Sequence, residues 1–343
     1  MLPLGPDSLL VGTNTGLWSY RRGDKLPSRL YPLNHELGNV AIRALHLGQD
    51  GRIYVGTQGN GLSSLFPDGS DYRNFRANSK LDNWLLDNHI RSITPDHTGN
   101  LWIGTINGLN RLKITTNDSR VYRHAAYDQP AAWVEEIGID QLGGIYFYRR
   151  DEGLFYAPAL GKPSTKIPFP LSERFGYQRI HSLSADRNNR MWIARSYDGI
   201  YWYDPVTKDL SSPIRDSIIT QNRFFHFAQD VRRDNVYWFS SRGGLGRLAM
   251  PEGKITWYRP FADQWQLSGN DVDSFVQGND GLIWLICRVA EKPMIGCFDP
   301  QKEVFRLYDP AEYGAAPLPN YVGRQATITT NGTPWFALDV GVV

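Results

Sequence analysis

The sequence contains no apolar stretch close to the roughly 18–20 residues that a membrane-spanning helix needs; its strongest run, Leu282 to Cys287, is the size of a strand. Met1-Leu-Pro-Leu-Gly-Pro carries neither a basic start nor an apolar core, so no signal peptide is visible. Neither sign of charge is in excess. Thirty-seven Lys+Arg face 35 Asp+Glu for a net of +2, which argues against a surface coated for nucleic acid. Two cysteines, Cys287 and Cys297, cannot build a disulfide framework. They flank one predicted hairpin, so two buried free thiols are the simpler reading and one cross-strand bridge in an oxidising compartment is the other. No Cys/His spacing resembles a zinc site, and His35, His46, His89, His97, His124, His181 and His226 include no His-x-x-x-His pair. Neither a Gly-x-Ser-x-Gly elbow nor a phosphate-cradling glycine loop is present; Gly243-Gly244-Leu245-Gly246 is a turn of a repeat. No metal or cofactor is expected.

Hydrophobic residues at 41% and charged residues at 21% exclude wholesale disorder. Aromatics reach 13%, with 33 Gly and 21 Pro, a mixture that suits short strands and tight turns better than helices. The organising signal is a repeat. Its clearest copy runs from Ile90 to Leu112 and contains Asp96, Gly99-Asn-Leu-Trp102-Ile-Gly-Thr105 and Gly108-Leu109. Ile42 to Leu62 repeats it around Tyr54, and Ser8 to Trp18 repeats it without the opening strand. Looser copies centre on Tyr146, Trp192, Trp238, Trp284 and Trp335. Anchored on these residues, and on Leu10 in the first copy, the intervals are 44, 48, 44, 46, 46, 46 and 51. Each unit reads as a four-stranded antiparallel meander. A lone sheet of this kind has two apolar faces, and radial stacking buries both, so the expected fold is an all-β propeller of four-stranded antiparallel blades. The large anchors are expected in the core, and Gly12, Gly56 and Gly104 at a bend ending the second strand.

The unit Ile90 to Leu109 resembles the two-component regulator propeller repeat, found in extracytoplasmic sensor regions of hybrid histidine kinases and some diguanylate cyclases. The resemblance spans Ser8 to Val343, strongest in the second and third copies. It implies a seven-bladed ring, a non-catalytic ligand-sensing role in a membrane-bound receptor, and a periplasmic or other extracytoplasmic location in a bacterium. It also implies an immunoglobulin-like module, a membrane helix and cytoplasmic kinase or cyclase domains in parts of a parent protein outside this chain; a homodimer through that parent receptor is the partner expectation. The last residues stop inside the pattern, as in a piece of a longer protein. The expectation is a single propeller over 1–343. Seven blades would close if Gln325 to Thr330 paired onto Leu9 to Thr13; Pro334-Trp335-Phe336-Ala337 leaves open an eighth blade or further module over 331–343.

Loops joining strand two to three, and strand four to the next strand one, gather on one face, where function usually sits. There Arg149, Arg150, Arg195, Arg242 and Arg288 follow the second strands of four successive blades, with Tyr197 beside them. Neighbouring loops add Trp84, Trp133, Tyr177, Arg179 and Arg223, together with Arg324. Guanidinium forks bind carboxylate or sulfate, and aromatic faces stack on sugars, so these residues are candidates for an oligosaccharide or other anionic small ligand. The competing expectation is local pairing with Asp151, Asp198 or Asp273. Glu135 and Glu136 adjoin in a predicted strand, so they should point to opposite faces and cannot flank one glycosidic bond; plain solvated charges are the simpler reading, and one of them facing the channel is the other. A polysaccharide lyase or glycoside hydrolase, and a protein-interaction or dimerisation platform, are the alternative functions.

Overall fold

The computed structural model describes residues 1–22, 24, 28–32, 35–77, 85–115, 118–123, 133–150, 152–159, 162–169, 179–195, 198–212, 224–259, 271–289, 292–309, 322–329, 332–338 and 341–342. Seven four-stranded antiparallel sheets follow one another along the chain, each a simple meander. Their inner strands are Leu2–Pro3, Ile42–Leu47, Ile90–Pro95, Val134–Ile139, Ile180–Ala185, Phe224–Gln229 and Val272–Gln277, numbered here as blades 1 to 7. An eighth sheet of three strands, Val322–Ile328, Pro334–Leu338 and Gly341–Val342, stands between blade 7 and blade 1.

The fold is the β-propeller that the repeat predicts, with seven complete blades. Strand sharing at the seam differs from expectation. Leu2–Pro3 pairs with Leu9 and Leu10, so blade 1 has its own inner strand. The segment Val322–Ile328 pairs instead with Pro334–Leu338. The Pro334-Trp335-Phe336-Ala337 segment is thus a second strand.

Packing explains why the sheets need one another. The buried apolar residues fall into eight clusters, one for each interface around the ring. Trp192, Phe227 and Tyr237 join blades 5 and 6, and Trp238, Phe275 and Phe298 join blades 6 and 7. The repeat anchors Tyr54, Trp102, Tyr146, Trp192 and Trp238 are all buried. Burying one such side chain contributes about 2–3 kcal/mol. Trp284 is the exception, half-buried and stacked on Tyr308, beside a sheet with three strands among the described residues.

Gly12, Gly56 and Gly104 have a different purpose from the expected bend, since none has a positive φ. Each is where the next blade's inner strand begins. A Cβ on Gly12 would lie 2.5 Å from Ile42 Cγ2, on Gly56 2.6 Å from Ile90 Cγ2, and on Gly104 2.8 Å from the Val134 carbonyl oxygen. Their role is close approach between blades. Gly104→Ala is expected to destabilise the protein by about 1–2 kcal/mol through overpacking, read from the urea midpoint; an unchanged midpoint would refute that role.

On the face opposite the loops, buried aspartates of the first turns tie blade to blade. Asp186 Oδ2 accepts from Trp192 Nε1 at 2.8 Å within blade 5 and from the Tyr237 hydroxyl of blade 6 at 2.8 Å. Asp230 Oδ2 accepts from Trp238 Nε1 at 2.7 Å and from Gln277 Nε2 of blade 7 at 3.1 Å. Burial alone would raise the Asp230 carboxyl, but hydrogen bonds from Arg233, Trp238, the Arg232 N–H and Gln277 outweigh it and hold the group well below the usual carboxylate range. Cys287 and Cys297 are both buried and free. Cys287 lies opposite Met294 and Cys297 opposite Trp284, so the ladder offsets the two thiols and does not place them for a bridge.

Candidate functional site at the channel mouth

The inner strands of blades 2 to 7 share one irregularity. In each, the first residue pairs at or near the end of strand two, the second is skipped, and the ladder resumes at the third. The skipped residues are Arg43, Arg91, Glu135, His181, Phe225 and Asp273. A bulge of this kind re-aims a side chain at the rim of a barrel or ring. Backbone hydrogen bonds hold the chain beside three of these bulges: Gln58 N–H to the Ala41 oxygen at 2.8 Å, Ile106 N–H to His89 at 3.1 Å, and Arg150 N–H to Trp133 at 2.9 Å.

Arg43, Arg91 and Glu135 line a polar cavity of about 540 Å³ where the inner strands converge, together with Ser92, Thr94 and Glu136. Ala326 and Thr327 of the eighth sheet also line it. Glu135 is buried and held by two guanidiniums. Arg150 forms an ion pair with it, and Arg179 of the next blade donates from Nε at 3.1 Å and from Nη2 at 3.2 Å. Trp133 carries two cations over its ring, Arg150 at 4.2 Å and Arg91 at 4.8 Å from the centroid. The ring therefore positions guanidiniums rather than offering an open platform to a sugar.

Arg43 donates from Nε to Gln58 Oε1 at 2.9 Å, a neutral partner. Arg91 has no carboxylate partner among the described residues, and its buried Nε has no hydrogen-bond acceptor. Burial lowers the Arg91 pKa; Glu135 opposes this, while Arg150, Arg43 and Arg179 add to it. Burial and then the charge of Glu135 push Glu136 up to about 7, with Arg179 acting against them. The two glutamates therefore differ from the expected pair of solvated charges on opposite faces. The bulge at Glu135 breaks the two-residue alternation, so both carboxyls reach the one cavity.

The other sequence candidates do not form one ring of arginines. Arg149 and Arg195 end their second strands, opposite Gly153 and Gly199, and both are buried. Arg149 pairs with Glu152 at 3.0 Å and Arg195 with Asp198, each guanidinium lying over an aromatic ring, Phe155 at 5.3 Å and Phe169 at 4.3 Å. Arg242 is exposed in a turn beyond its strand, whereas Arg288 lies within a longer ladder opposite Pro293 and pairs with Asp273 at 3.4 Å. Arg149 and Arg195 stand three residues after their anchors but Arg242 and Arg288 four, so the two pairs occupy different positions. Trp84, Tyr177, Tyr197, Arg223, Asp151 and the Arg324 side chain lie outside the described residues. Arg150, Arg179 and Trp133 are brought together. Arg43, Arg91 and Ser92 escaped the sequence reading, although a polar residue directly after the first apolar residue of a repeat, as in Ile42-Arg43 and Ile90-Arg91, was there to be seen.

The sheets define a β-propeller whose inner strands line a polar, charged cavity. Residues 85–107, which lead into blade 3 and include its first two strands, match the family Two component regulator propeller. No curated protein matches the chain in sequence. Among solved structures, the extracellular domain of the putative hybrid two component system BT4673 from B. thetaiotaomicron is similar at 20% identity and TM-score 0.47, covering 100% of this chain and 50% of the other. That of BT3049 from the same organism is similar at 14% identity and TM-score 0.37, covering 97% of this chain and 53% of the other. The chain spans about half the length of these structures. The Dos1 propeller, at 10% identity and TM-score 0.64 over 98% of this chain and 88% of its own, shares the fold.

Proposed function

We propose that this chain is the non-catalytic, ligand-sensing propeller of a membrane-bound two-component signalling receptor, placed on the extracytoplasmic side of a bacterial inner membrane. Its ligand is a glycan or other anionic small molecule taken at the loop face. The family repeat supports the signalling context. The observation that carries ligand recognition is the cavity at the channel mouth, lined by arginines that the protein's own carboxylates do not fully neutralise. Kinase or cyclase output, the membrane anchor and a homodimer contact would belong to other parts of the receptor.

A panel of acidic and neutral oligosaccharides tests this by thermal unfolding and product analysis. An acidic glycan is expected to raise the unfolding midpoint, corresponding to about 2.7 kcal/mol at a ligand concentration about 100 times Kd, and to be recovered intact. Cleaved product would favour the second reading, a polysaccharide lyase or hydrolase. One observation favours that reading: Glu136, lifted to about 7, has the character of a general acid in a channel. Against it, Glu135 is locked between Arg150 and Arg179 and is not placed as a free catalytic partner.

A further inference from the structure

Five guanidiniums stand around the channel mouth, and their own partners sort them. Arg150 and Arg179 share Glu135. Arg288, further round, has Asp273. Among the described residues, Arg43 has only the side-chain amide of Gln58, and Arg91 rests on Trp133 with a buried Nε that meets no acceptor. The surplus positive charge of the cavity is therefore concentrated at the bulges of two adjacent blades, 2 and 3. A planar guanidinium with unused donors matches a carboxylate in two parallel hydrogen bonds.

The rest of the cavity suits hydroxyl groups. Ser92 Oγ is buried without a hydrogen-bond partner, and Thr94 and Glu136 line the same wall. A doubly charged phosphate would face both Glu135 and Glu136, and a large apolar ligand would have to bury these polar groups unpaired. A volume of about 540 Å³ lies within the range of small-molecule sites.

We propose that Arg43 and Arg91 form a fork for one carboxylate, and that the occupant is a small hydroxylated carboxylic acid of the sugar-acid class, its hydroxyls meeting Ser92, Thr94 and Glu136. This rests on the reading of the chain as a ligand-sensing domain and names the chemistry of its site.

Calorimetric titration of the full 343-residue chain with D-galacturonate, its dimer, D-galactose and inorganic sulfate tests it. One of the two acids is expected to bind, with galactose weaker by about tenfold or more, as loss of a charge-assisted pair implies. Arg43→Gln and Arg91→Gln should each weaken the acid by about tenfold or more, with unfolding midpoints confirming that the variants fold. Arg91→Lys, which keeps the charge but not the fork, should recover only part of the affinity and serves if Arg91→Gln fails to fold. Equal binding of acid and galactose, or acid binding untouched by both Gln variants, overturns the fork while leaving a sensing role intact. Sulfate competing as well as the acid reduces the site to a bare anion contact and overturns the hydroxyl assignment. No binding of either acid also overturns the proposal. In that case a thermal shift with another glycan would preserve the sensing reading, and silence across the whole panel would remove it.

Discussion

Asp230→Ala is expected to lower stability by about 3–4 kcal/mol. The side chain is 1% exposed and gathers five donors. Oδ1 accepts from the Arg232 and Arg233 N–H groups at 2.9 Å each, and Oδ2 from Arg233 Nη2 at 2.8 Å, Trp238 Nε1 at 2.7 Å and Gln277 Nε2 at 3.1 Å. Arg233 can turn to water. The indole N–H of Trp238, on a fully buried ring, cannot, and it would be left without an acceptor. Loss of the Gln277 contact also removes a link between blades 6 and 7. Asp230→Asn keeps the shape and an acceptor oxygen and should cost roughly half as much. Chemical denaturation of both variants reads the difference. A loss below about 1 kcal/mol for the alanine variant would show that the five bonds are replaced by water and that the hub does not bind the blades.

Glu136→Gln should reshape the pH dependence of stability. The folded carboxyl titrates at about 7 against an ordinary 4.5, so the folded state holds its proton more tightly than the unfolded chain. The stability this lends is fully present below pH 4.5 and is lost as the pH rises through 7. Between pH 5 and pH 8 the native protein is therefore expected to lose about 2–3 kcal/mol relative to the Gln variant. Unfolding midpoints of the two proteins, close at pH 5, should separate at pH 8 with the variant the more stable. Parallel pH profiles would mean that Arg179 already offsets the carboxylate charge.

The sequence made the blades legible because each carries the same physical instructions: an apolar strand, an Asp/Gly turn, a bulky centre and a Gly-Leu third strand. Trp102, Trp192 and Trp238 had to be buried somewhere, and spacing near 46 residues placed each at a blade interface. The first inner strand was harder to see, since Leu2–Pro3 is two residues long and has no alternation to read. The candidate site was legible in its loops and not at its centre. Arg150, Arg179 and Trp133 were found because arginines and aromatics after a strand stand out. Arg43 and Arg91 were missed, and Glu135 and Glu136 were assigned to opposite faces, for one shared reason. A bulge inserts a residue without changing composition or spacing, so strict alternation gives the wrong facing for everything beside it.

That skipped residue stands apart from the ladder of its blade. Positions 43, 91, 135, 181, 225 and 273 hold Arg, Arg, Glu, His, Phe and Asp in otherwise like settings. None of the six is a rung of the ladder, so exchanging one leaves every paired rung of its sheet in register. A substitution at one of these six positions therefore changes the charge or shape of the rim without removing a rung from the blade that carries it.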